Sequence, residues 1–554
     1  FLFAVSLLLE SWSVGRARRA VQKLLELAPP LARVRDPRSG MEREVPPEDV
    51  RPGDVVVVNP GERIPLDGEV IEGRSLVDAS PVTGESKPAA VEPGTEVYAG
   101  TIALDGSLHL RVSREASDTV LARIIRQVSE AGRRRAKSEQ WVDRFALIYT
   151  PVVFAAAILT ALIPPLAGLG TWADWTYRAL VLLVIGCPCA LVISTPVSIV
   201  AGLASAARNG VLVKGGDLLE IPARLAIVAI DKTGTLTTGR PRVERVIAGV
   251  GHTEEEVLAV AAALERRSGH PLGEAIVRAA AARDVDPAPA DDVTALPGRG
   301  IEGQVEGRPA WLGSRRLLSE RGQDTGASHE VLASLARGGR TVVAVGRDDH
   351  VCGFISLGDV PRPEAAATVR ELHALGIENV AMLTGDNPET ASEVAAAVGV
   401  DEVHAGLLPE DKVRRLEELR SRGALAFVGD GINDAPALAL ADLGIAMGGK
   451  GTDVAIETAH VALMTDDLAK IPWLIRHSRR TLAIIRANIA FALGVKAIFV
   501  VLTFAGHASL WAAIAADMGA SLLVIANGLR LLGGSGAEPD GAPAPAAPAL
   551  EPVG

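Results

Sequence analysis

The stretch DKTGTLT at residues 231–237 directly follows the apolar run LAIVAI at 225–230. A short β-branched apolar run of this kind is typical of a buried strand, so Asp231 is expected at the strand's carboxyl end. Parallel α/β sheets bind their ligands at that edge. A carboxylate held there can act as a nucleophile toward phosphorus. The competing interpretation is that Asp231 is only a turn residue after a strand.

Three further elements favour phosphoryl transfer over a simple turn. TGDN at 384–387 follows the apolar run NVAML, and its hydroxyl and backbone N–H groups can bind phosphate oxygens. Lys412 is a cation that can offset charge on a transferring group. GDGINDAP at 429–436 follows another apolar run and offers the oxygen ligands that Mg²⁺ prefers. Positioning and charge neutralisation are what phosphoryl transfer requires.

Composition indicates a large protein that is partly membrane-embedded. A chain of 554 residues is too long for one core and implies several domains. A net charge of −11 argues against a nucleic-acid partner. A mean hydropathy of +0.26 together with 22% charged residues suggests membrane and soluble parts. Three cysteines cannot form a disulfide framework.

Four apolar segments are long enough to cross a membrane. They are Phe145–Ala167, Tyr177–Ala204, Ile484–Ala505 and Leu510–Leu532. They form two hairpins whose short turns carry Trp172, Trp175 and Trp511, as interfacial belts do. Because the opposite ends are rich in Lys and Arg, the positive-inside rule places the two large polar inserts in the cytosol. The chain also starts at Phe1 inside an apolar run, so we expect residue 1 to be a cut through a membrane helix.

DKTGTLT, TGDN and GDGINDAP, in this order, resemble the phosphorylation domain of P-type ATPases, a branch of the haloacid-dehalogenase-like fold. The resemblance implies ATP and Mg²⁺ as cofactors and Asp231 as the phosphorylated residue. The other implied catalytic residues are Lys232, Thr233, Thr384, Gly385, Asp386 and Lys412. The implied Mg²⁺ ligands are Asp231, Thr233, Asp430 and Asp434. TGES at 83–86 resembles the family's actuator loop, where Glu85 would orient the hydrolytic water.

A module inserted in the α/β domain carries a second resemblance. SGHPL at 268–272 and GRGIEG at 298–303 are similar to the nucleotide domain of heavy-metal pumps. A lone exposed histidine or a Gly-x-Gly would by itself be weak support for a binding site. Taken together, the motifs imply an ATP pocket lined by Glu265, His270, Gly298 and Gly300.

Cys187-Pro188-Cys189 lies midway along an apolar segment. Pro188 has no N–H to donate, so the helix must kink or unwind there. Irregular backbone is tolerated in a membrane where it lines a site, and two thiols supply soft ligands. The alternative, cysteine as a small membrane hydrophobe, explains one cysteine more easily than this pair. The motif resembles the transport site of heavy-metal pumps.

Lys496 and Asp517 are ionisable residues inside the last two apolar segments, which makes them functional candidates. They could instead pair only with each other, or extend to the interface. Two thiolates and one carboxylate carry three negative charges, which a divalent ion and Lys496 would cancel. The two residues match the zinc/cadmium/lead branch. Glu10 resembles an acidic residue lining that branch's metal exit, although it could be an ordinary helix-end carboxylate.

The sequence therefore predicts a multi-pass plasma-membrane pump that exports Zn²⁺, Cd²⁺ or Pb²⁺ and functions as a monomer surrounded by lipid. A Cu⁺ pump is opposed by Lys496 and Asp517, and a soluble haloacid-dehalogenase-like phosphatase by the membrane hairpins. The fold class is an α-helical transmembrane bundle with a β-rich actuator domain and a Rossmann-like phosphorylation domain carrying an inserted α+β nucleotide-binding domain. The predicted segments are 1–28 (partial transmembrane helix and cytosolic extension), 29–128 (actuator), 129–214 (helix pair with Cys-Pro-Cys), 215–240 and 348–475 (phosphorylation domain), 241–347 (nucleotide-binding domain), 476–532 (helix pair) and 533–554 (disordered tail).

Overall fold

A computed structural model describes most of the chain. The described residues are 29–36, 39, 41–79, 88–131, 136–268, 270–296, 299–323, 326–335, 340–348, 350–430, 434–448 and 458–533. Glu10, Glu85 and Gly298 lie outside them, as do residues 1–28 and 534–554. The described residues form two compact units, one reaching to Leu219 and resuming at Arg480, the other spanning Glu220–Arg479.

The first unit begins with a β-rich domain. Its strands are β1 (Ala32–Arg35), β2 (Glu42–Val45), β3 (Val55–Val58), β4 (Gly68–Gly73), β5 (Ser75–Asp78), β6 (Ala89–Val91), β7 (Glu96–Val97), β8 (Ile102–Ala103) and β9 (Leu108–Val112). One sheet has the order β2-β1-β3-β9-β4-β7 and another the order β6-β5-β8. Alternate apolar side chains of these strands are buried in a shared core, as a half-buried antiparallel sheet requires.

Asp67 connects this domain to the helix that follows it, α1 (Val120–Ala131). Its Oδ1 accepts the Ala99 N–H at 2.8 Å and its Oδ2 accepts the Val120 N–H at 2.7 Å. A carboxylate that accepts a helix's first N–H groups satisfies donors that have no partner within the helix. Burial nevertheless raises the pKa of Asp67 above its usual range.

Long apolar helices follow. They are α2 (Lys137–Leu166), α3 (Trp172–Ile185) and α4 (Cys189–Arg208), followed by the short strand β10 (Val211–Val213) and the short helix α5 (Gly216–Glu220). Many large apolar side chains of α2, including Leu147 and Leu166, are exposed, as expected for a helix that contacts lipid. The helix also begins about two turns before the predicted apolar segment, at Lys137 rather than Phe145, because its polar first turns are helical too.

In the second unit, β11 (Ile227–Asp231) leads into an inserted α+β module. The elements of the module are β12 (Thr237–Ala248), α6 (Glu254–Glu265), α7 (Pro271–Ala282), β13 (Ala290–Leu296), β14 (Gly300–Val305), β15 (Arg308–Gly313), α8 (Arg315–Glu320), α9 (Gly326–Leu335), β16 (Thr341–Arg347) and β17 (His350–Pro361). The antiparallel sheet order is β12-β17-β16-β15-β14-β13. The sheet extends beyond the predicted 241–347, because β17 pairs with both β12 and β16.

The chain then returns to the sheet that contains β11. The added elements are α10 (Ala365–Ala374), β18 (Asn379–Leu383), α11 (Pro388–Val398), β19 (Glu402–His404), α12 (Pro409–Arg420), β20 (Leu425–Gly429), α13 (Ala435–Leu440), β21 (Leu443–Ala446) and β22 (Val461–Leu463). The strands β22, β21, β20, β11, β18 and β19 lie in that order and run parallel. Residues of β11 and β20 are buried on both faces, as in other parallel sheets covered by helices.

The chain ends with two more long helices, α14 (Lys470–Phe504) and α15 (Leu510–Leu529). By length and hydropathy, Lys137–Leu166, Trp172–Arg208, Lys470–Phe504 and Leu510–Gly533 are candidate membrane spans. Helices α4 and α15 approach closely at Gly528, where an added Cβ would lie 2.8 Å from Ser198 Oγ. Small residues of this kind allow membrane helices to pack together.

The core of the inserted module depends on a close contact between two neighbouring strands. Trp311 on β15 is 1% exposed. An added Cβ at Gly346 on β16 would lie 2.3 Å from Trp311 Cε2, so the glycine leaves the space that the indole occupies. Arg321 also lies over the indole ring, 5.3 Å from its centroid.

Gly346→Ala should therefore lower the free energy of unfolding of the second unit by about 1–3 kcal/mol, because the extra carbon overpacks the core. Trp311→Phe removes the atoms that would clash. In the double variant, Gly346→Ala should therefore cost less than it does alone. Denaturant unfolding of both single variants and the double variant measures this coupling. Additive effects would contradict the proposed contact.

Candidate phosphorylation and metal sites

The first candidate site lies at the carboxyl ends of three adjacent strands. Asp231 ends β11 and pairs in register with Leu383 of β18. Because β18 and β20 flank β11 in parallel, the residues that follow them, Thr384 and Asp430, lie at the same edge. The sheet thus brings together three predicted motifs that are far apart in sequence.

Lys412 connects two carboxylates at this edge. Its Nζ donates to Asp231 Oδ1 at 2.6 Å and to Asp434 Oδ1 at 3.0 Å. Burial acts to lower the pKa of Lys412, but the attraction of Asp231 and Asp434 outweighs it and the pKa is raised. The lysine therefore remains charged beside the predicted nucleophile.

The carboxylates outnumber the cation at this site. Burial and repulsion by Asp434 and Asp430 raise the pKa of Asp231 to about 7, although Lys412 opposes the shift. When all three carboxylates are ionised, they and the one ammonium leave an excess of about two negative charges in a largely buried place. Hard oxygen ligands with this excess fit a Mg²⁺ ion. Asn433, which also belongs to this motif, lies outside the described residues.

The remaining predicted phosphate ligands surround the same edge. Thr384 is 2% exposed, and its Oγ1 accepts the N–H of Asp386 at 3.1 Å. Lys232, which is also buried, forms an ion pair with Asp386. At Gly385, an added Cβ would lie 3.2 Å from the Leu407 carbonyl oxygen, so the backbone there is held close to a neighbouring loop.

Arg362 is a residue at this site that the sequence motifs did not indicate. The chain after Asp231 makes a wide turn in which Gly234 has a φ of 75°, a conformation that favours glycine. The Arg362 guanidinium donates to the carbonyl oxygens of Gly234 at 3.0 Å and Thr235 at 2.8 Å. It also donates to the Asp466 carbonyl at 2.9 Å. Arg362 thus holds the shape of the turn that carries the motif.

A cavity of about 580 Å³ lies between this turn and the inserted module. The turn contributes Lys232 and Thr233, and the module contributes Leu272 and Arg340. Thr237 and Asp359 join the two strands that lead into the module, since Thr237 Oγ1 donates to Asp359 Oδ2 at 2.5 Å. The cavity is large enough for a nucleotide-sized ligand.

Of the predicted nucleotide residues, His270 and Glu265 contact residues at the Leu272 end of this cavity but do not line it. His270 caps α7, because its Nδ1 accepts the Leu272 N–H at 3.2 Å. Glu265 ends α6 and is 8% exposed, and its Oε2 has no hydrogen-bond partner within the described part of the chain. An added Cβ at Gly273 would lie 2.3 Å from that oxygen, so the glycine admits the carboxylate. Gly300 begins β14 and packs against the Leu312 carbonyl.

The second candidate site lies where α3 ends and α4 begins. The break predicted at Pro188 is present, since α3 ends at Ile185 and α4 starts at Cys189. Cys187 and Cys189 are joined by a disulfide in the structure, with Cα atoms 5.5 Å apart. Their sulfur atoms therefore point to the same place. In the reduced state, both thiolates can reach one metal ion.

Lys496 of α14 fills the break with its ammonium group. Its Nζ donates to the carbonyl oxygens of Ile185 at 2.9 Å and Cys187 at 2.5 Å. It donates also to Asp517 Oδ1 at 3.0 Å. Lys496 is 4% exposed, so these acceptors replace its hydration. The two carbonyls have no partner within the helix at the break, and Lys496 is their hydrogen-bond donor instead.

Comparisons with known proteins identify the family of this chain. Residues 225–442 match the haloacid dehalogenase-like hydrolase family, and residues 26–129 match the P-type ATPase actuator domain. The chain is 43% identical over 537 residues to the probable cadmium-transporting ATPase of Staphylococcus aureus (strain MRSA252), covering 96% of this chain and 74% of that protein. It is 46% identical over 532 residues to the zinc/cadmium/lead-transporting P-type ATPase of Escherichia coli (strain K12), covering 96% and 71%. This chain belongs to the P-type ATPase family.

A solved structure also supports membership of the P-type ATPase family. The crystal structure of a zinc-transporting PIB-type ATPase in the E2.Pi state superposes with a TM-score of 0.66 at 44% identity, covering 96% of this chain and 86% of that one. As a P-type ATPase, the chain is an ATP-hydrolysing membrane transporter. The predicted fold class, an actuator and a haloacid-dehalogenase-like domain joined to apolar helices, is confirmed.

The raised pKa of Asp231 leads to a prediction about stability. The folded protein keeps a proton on this carboxyl group up to about pH 7, whereas the unfolded chain loses it near pH 4. Stability is therefore lost as the pH rises between these values. Without Mg²⁺, Asp231→Asn should raise the free energy of unfolding by about 1–4 kcal/mol at pH 8 and by less at pH 5.

Thermal unfolding with and without Mg²⁺ measures this effect. Mg²⁺ should stabilise the unchanged protein more than Asp231→Asn, because the ion offsets the charge that the variant removes. The exposed Asp291 provides a control, since Asp291→Asn should leave the pH dependence unchanged. An equal Mg²⁺ response in the Asp231→Asn variant would place the ion elsewhere.

Proposed function

We propose that this P-type ATPase exports divalent heavy-metal ions, Zn²⁺, Cd²⁺ or Pb²⁺, with Asp231 as the phosphorylated residue. The observation that carries the proposal is the contact of Lys496 with Asp517 and with the Cys187 carbonyl at a broken membrane helix. It brings Asp517 and the backbone of the Cys-Pro-Cys segment to one ammonium group, which supports a shared metal site in the apolar helices. The relatives named above, which transport cadmium or zinc, cadmium and lead, support the choice of metal.

In this proposal, each charged group of the phosphorylation site has a role. Asp231 attacks the γ-phosphorus of ATP, and the bond from that phosphorus to the bridging oxygen of ADP breaks. Lys412, whose Nζ lies 2.6 Å from Asp231 Oδ1, offsets the negative charge of the transferring group. Lys232 and Thr384 lie beside it and hold phosphoryl oxygens. A Mg²⁺ held by Asp231, Asp430, Asp434 and the Thr233 backbone would neutralise phosphate charge.

The nucleotide is proposed to occupy the cavity between the turn and the inserted module. Glu265 offers a buried oxygen that can accept a hydrogen bond from the adenine amino group. His270 and the backbone at Gly298 and Gly300 complete the pocket in this proposal. The other end of the cavity is at Lys232, so the phosphates of the nucleotide extend toward Asp231. Glu85, by resemblance, orients the water that later hydrolyses the phospho-aspartate.

The metal ion is proposed to bind Cys187, Cys189 and Asp517. Thiolates suit Zn²⁺ and Cd²⁺, and a carboxylate is a poorer ligand for Cu⁺. When the ion is bound, Asp517 turns from Lys496 toward the metal, and the ammonium keeps the two helix carbonyls. After release, the ion pair with Asp517 forms again and disfavours return of the ion. Glu10 would line the exit path.

The orientation of the chain in the membrane, its oligomeric state and its contact with lipid are also proposed. The catalytic domains lie on the cytosolic side of the plasma membrane, because the helix ends next to them carry clusters of arginine. The chain is proposed to act as a monomer. Lipid surrounds the exposed apolar side chains of α2.

Labelling with ATP radioactive at the γ-phosphate tests the function. Zn²⁺, Cd²⁺ and Pb²⁺ should each stimulate formation of acid-stable, hydroxylamine-sensitive label, and Cu⁺ should not. Asp231→Asn should form no label, whereas Asp291→Asn should label normally. Cys187→Ser should lose metal stimulation while retaining nucleotide binding. Stimulation by Cu⁺ with none by Zn²⁺ or Cd²⁺ would assign the copper alternative instead.

Separate variants of Asp517 and Lys496 test the metal site. Asp517→Ala removes a ligand and leaves Lys496 as a buried cation, so the Zn²⁺ affinity should fall by at least about tenfold. Lys496→Ala keeps the ligands but not the balancing charge. Zn²⁺ should still bind, and turnover should fall by about tenfold or more because release slows.

Metal stoichiometry and metal-stimulated turnover distinguish the two variants. Asp174→Ala and Lys470→Ala are matched controls, because they alter a carboxylate at the start of α3 and a lysine at the start of α14. Neither control should change metal affinity. Unaltered Zn²⁺ binding in Asp517→Ala would remove that residue from the site.

A further inference from the structure

The inserted module contains a second group of metal-ligating side chains, away from the membrane helices. His252 lies in the turn between β12 and α6, and His350 and Cys352 lie on the same face of β17. The ligand atoms of these three residues all lie within 4.8 Å of one another. Neither the phosphorylation site nor the proposed nucleotide pocket uses any of them.

The distances in this group fit a small metal ion. Nε2 of His252 lies 3.0 Å from Nε2 of His350, and Cys352 Sγ lies 3.9 Å from His350 Nε2. Tetrahedral Zn²⁺, with bonds of about 2.0–2.1 Å to nitrogen and about 2.3 Å to sulfur, separates its ligands by about 3.3 Å (N to N) and about 3.6 Å (N to S). The His252–His350 and His350–Cys352 pairs therefore need to move by only a few tenths of an ångström, and His252 and Cys352, within 4.8 Å of each other, by at most about 1.2 Å.

Glu256 orients His252 for this role. Its Oε2 lies 3.3 Å from His252 Nδ1 and accepts the Thr253 N–H at 3.2 Å as part of a capping box. A carboxylate beside one imidazole nitrogen keeps the proton there and leaves the other nitrogen free to bind a metal. The free nitrogen, Nε2, is the one that points to His350.

The charge around the group also suits a cation. The first turn of α6 carries Glu254, Glu255 and Glu256, which offset the positive end of the helix dipole. His350 is exposed, so an ion can enter from solvent, whereas Cys352 is 1% exposed and forms the inner wall. A hydrogen bond between the two histidines without an ion is the alternative arrangement.

We propose that His252, His350 and Cys352 bind one divalent ion of borderline or soft character, such as Zn²⁺ or Cd²⁺, on the inserted module. Three protein ligands leave a fourth position for water, so the ion is exchangeable. A bound ion joins the end of β12, the start of α6 and β17. The opposite end of α6 carries Glu265, so the site is connected by one helix to the proposed nucleotide pocket.

The test uses the full chain with Cys187→Ser and Cys189→Ser, in which Cys352 is the one remaining cysteine of the three. Co²⁺ is titrated and the thiolate-to-cobalt charge-transfer band is recorded, followed by competition with Zn²⁺. The band should appear at one Co²⁺ per chain and disappear on adding Zn²⁺. Because the transport cysteines are absent, no other residue can produce this band.

Variants within that background identify the ligands. His252→Ala and His350→Ala leave the core residue Cys352 in place, and each should weaken Co²⁺ binding by at least about tenfold. Cys352→Ser should abolish the band. His373→Ala is the matched control, because His373 also lies beside a carboxylate, 3.4 Å from Asp401, but belongs to no cluster of three metal-ligating side chains among the described residues.

Two results would overturn the proposal: no band in the parent, or a band of unchanged affinity in both histidine variants. Either result would leave the alternative, a metal-free pair of histidines. ATP binding by each variant shows that the module is folded. The outcome is independent of the transport proposal, which is tested by metal-stimulated phosphorylation of the chain with its transport cysteines intact.

Discussion

A buried lysine ammonium that must be surrounded by oxygen atoms is the constraint on which both sites depend. In the second unit, Lys412 is held by Asp231 and Asp434. In the membrane helices, Lys496 is held by Asp517 and by carbonyls of the broken helix. A buried charge without such partners would cost several kcal/mol. In the second unit, the ionised carboxylates carry more negative charge than Lys412 cancels. In the membrane helices, Asp517 and the two cysteines, once ionised, carry more negative charge than Lys496 cancels. Each site can therefore accept the charge of a further cation.

The proline break gives the membrane site its acceptors. An unbroken helix would use the carbonyls of Ile185 and Cys187 in its own hydrogen-bond ladder, and Lys496 would have only Asp517. Pro188 cannot continue that ladder, so the carbonyls are available inside the apolar helices. The break also leaves no room for side chains at its start, since an added Cβ at Gly186 would lie 2.2 Å from Val153 Cγ1. The broken backbone, Lys496 and Asp517 therefore form one hydrogen-bonded group.

In the second unit, a few polar contacts join the parallel sheet that contains β11 to the antiparallel sheet of the inserted module. Arg362 holds the turn that follows Asp231, and Thr237 is bonded to Asp359 on the strand that returns from the inserted module. The motifs predicted the parallel strands well, because buried apolar runs are local signals. They gave no indication of Arg362, since its partners are backbone carbonyls more than a hundred residues away. Glu10, Glu85 and Gly298 remain predictions, because they lie outside the described residues.

The sequence by itself determined the strand ends, the helix break at Pro188 and the identity of the chemical groups, because each depends on residues close together in the chain. Only the tertiary structure decided which groups meet. Lys496 contacts a carbonyl 311 residues away, and His252 lies against a histidine 98 residues away. Such contacts depend on how helices and strands pack, and short-range hydrophobic patterns carry no information about that packing. The sequence therefore predicted the groups of the phosphorylation and transport sites but not the group at His252, and the fold decided which groups share a site.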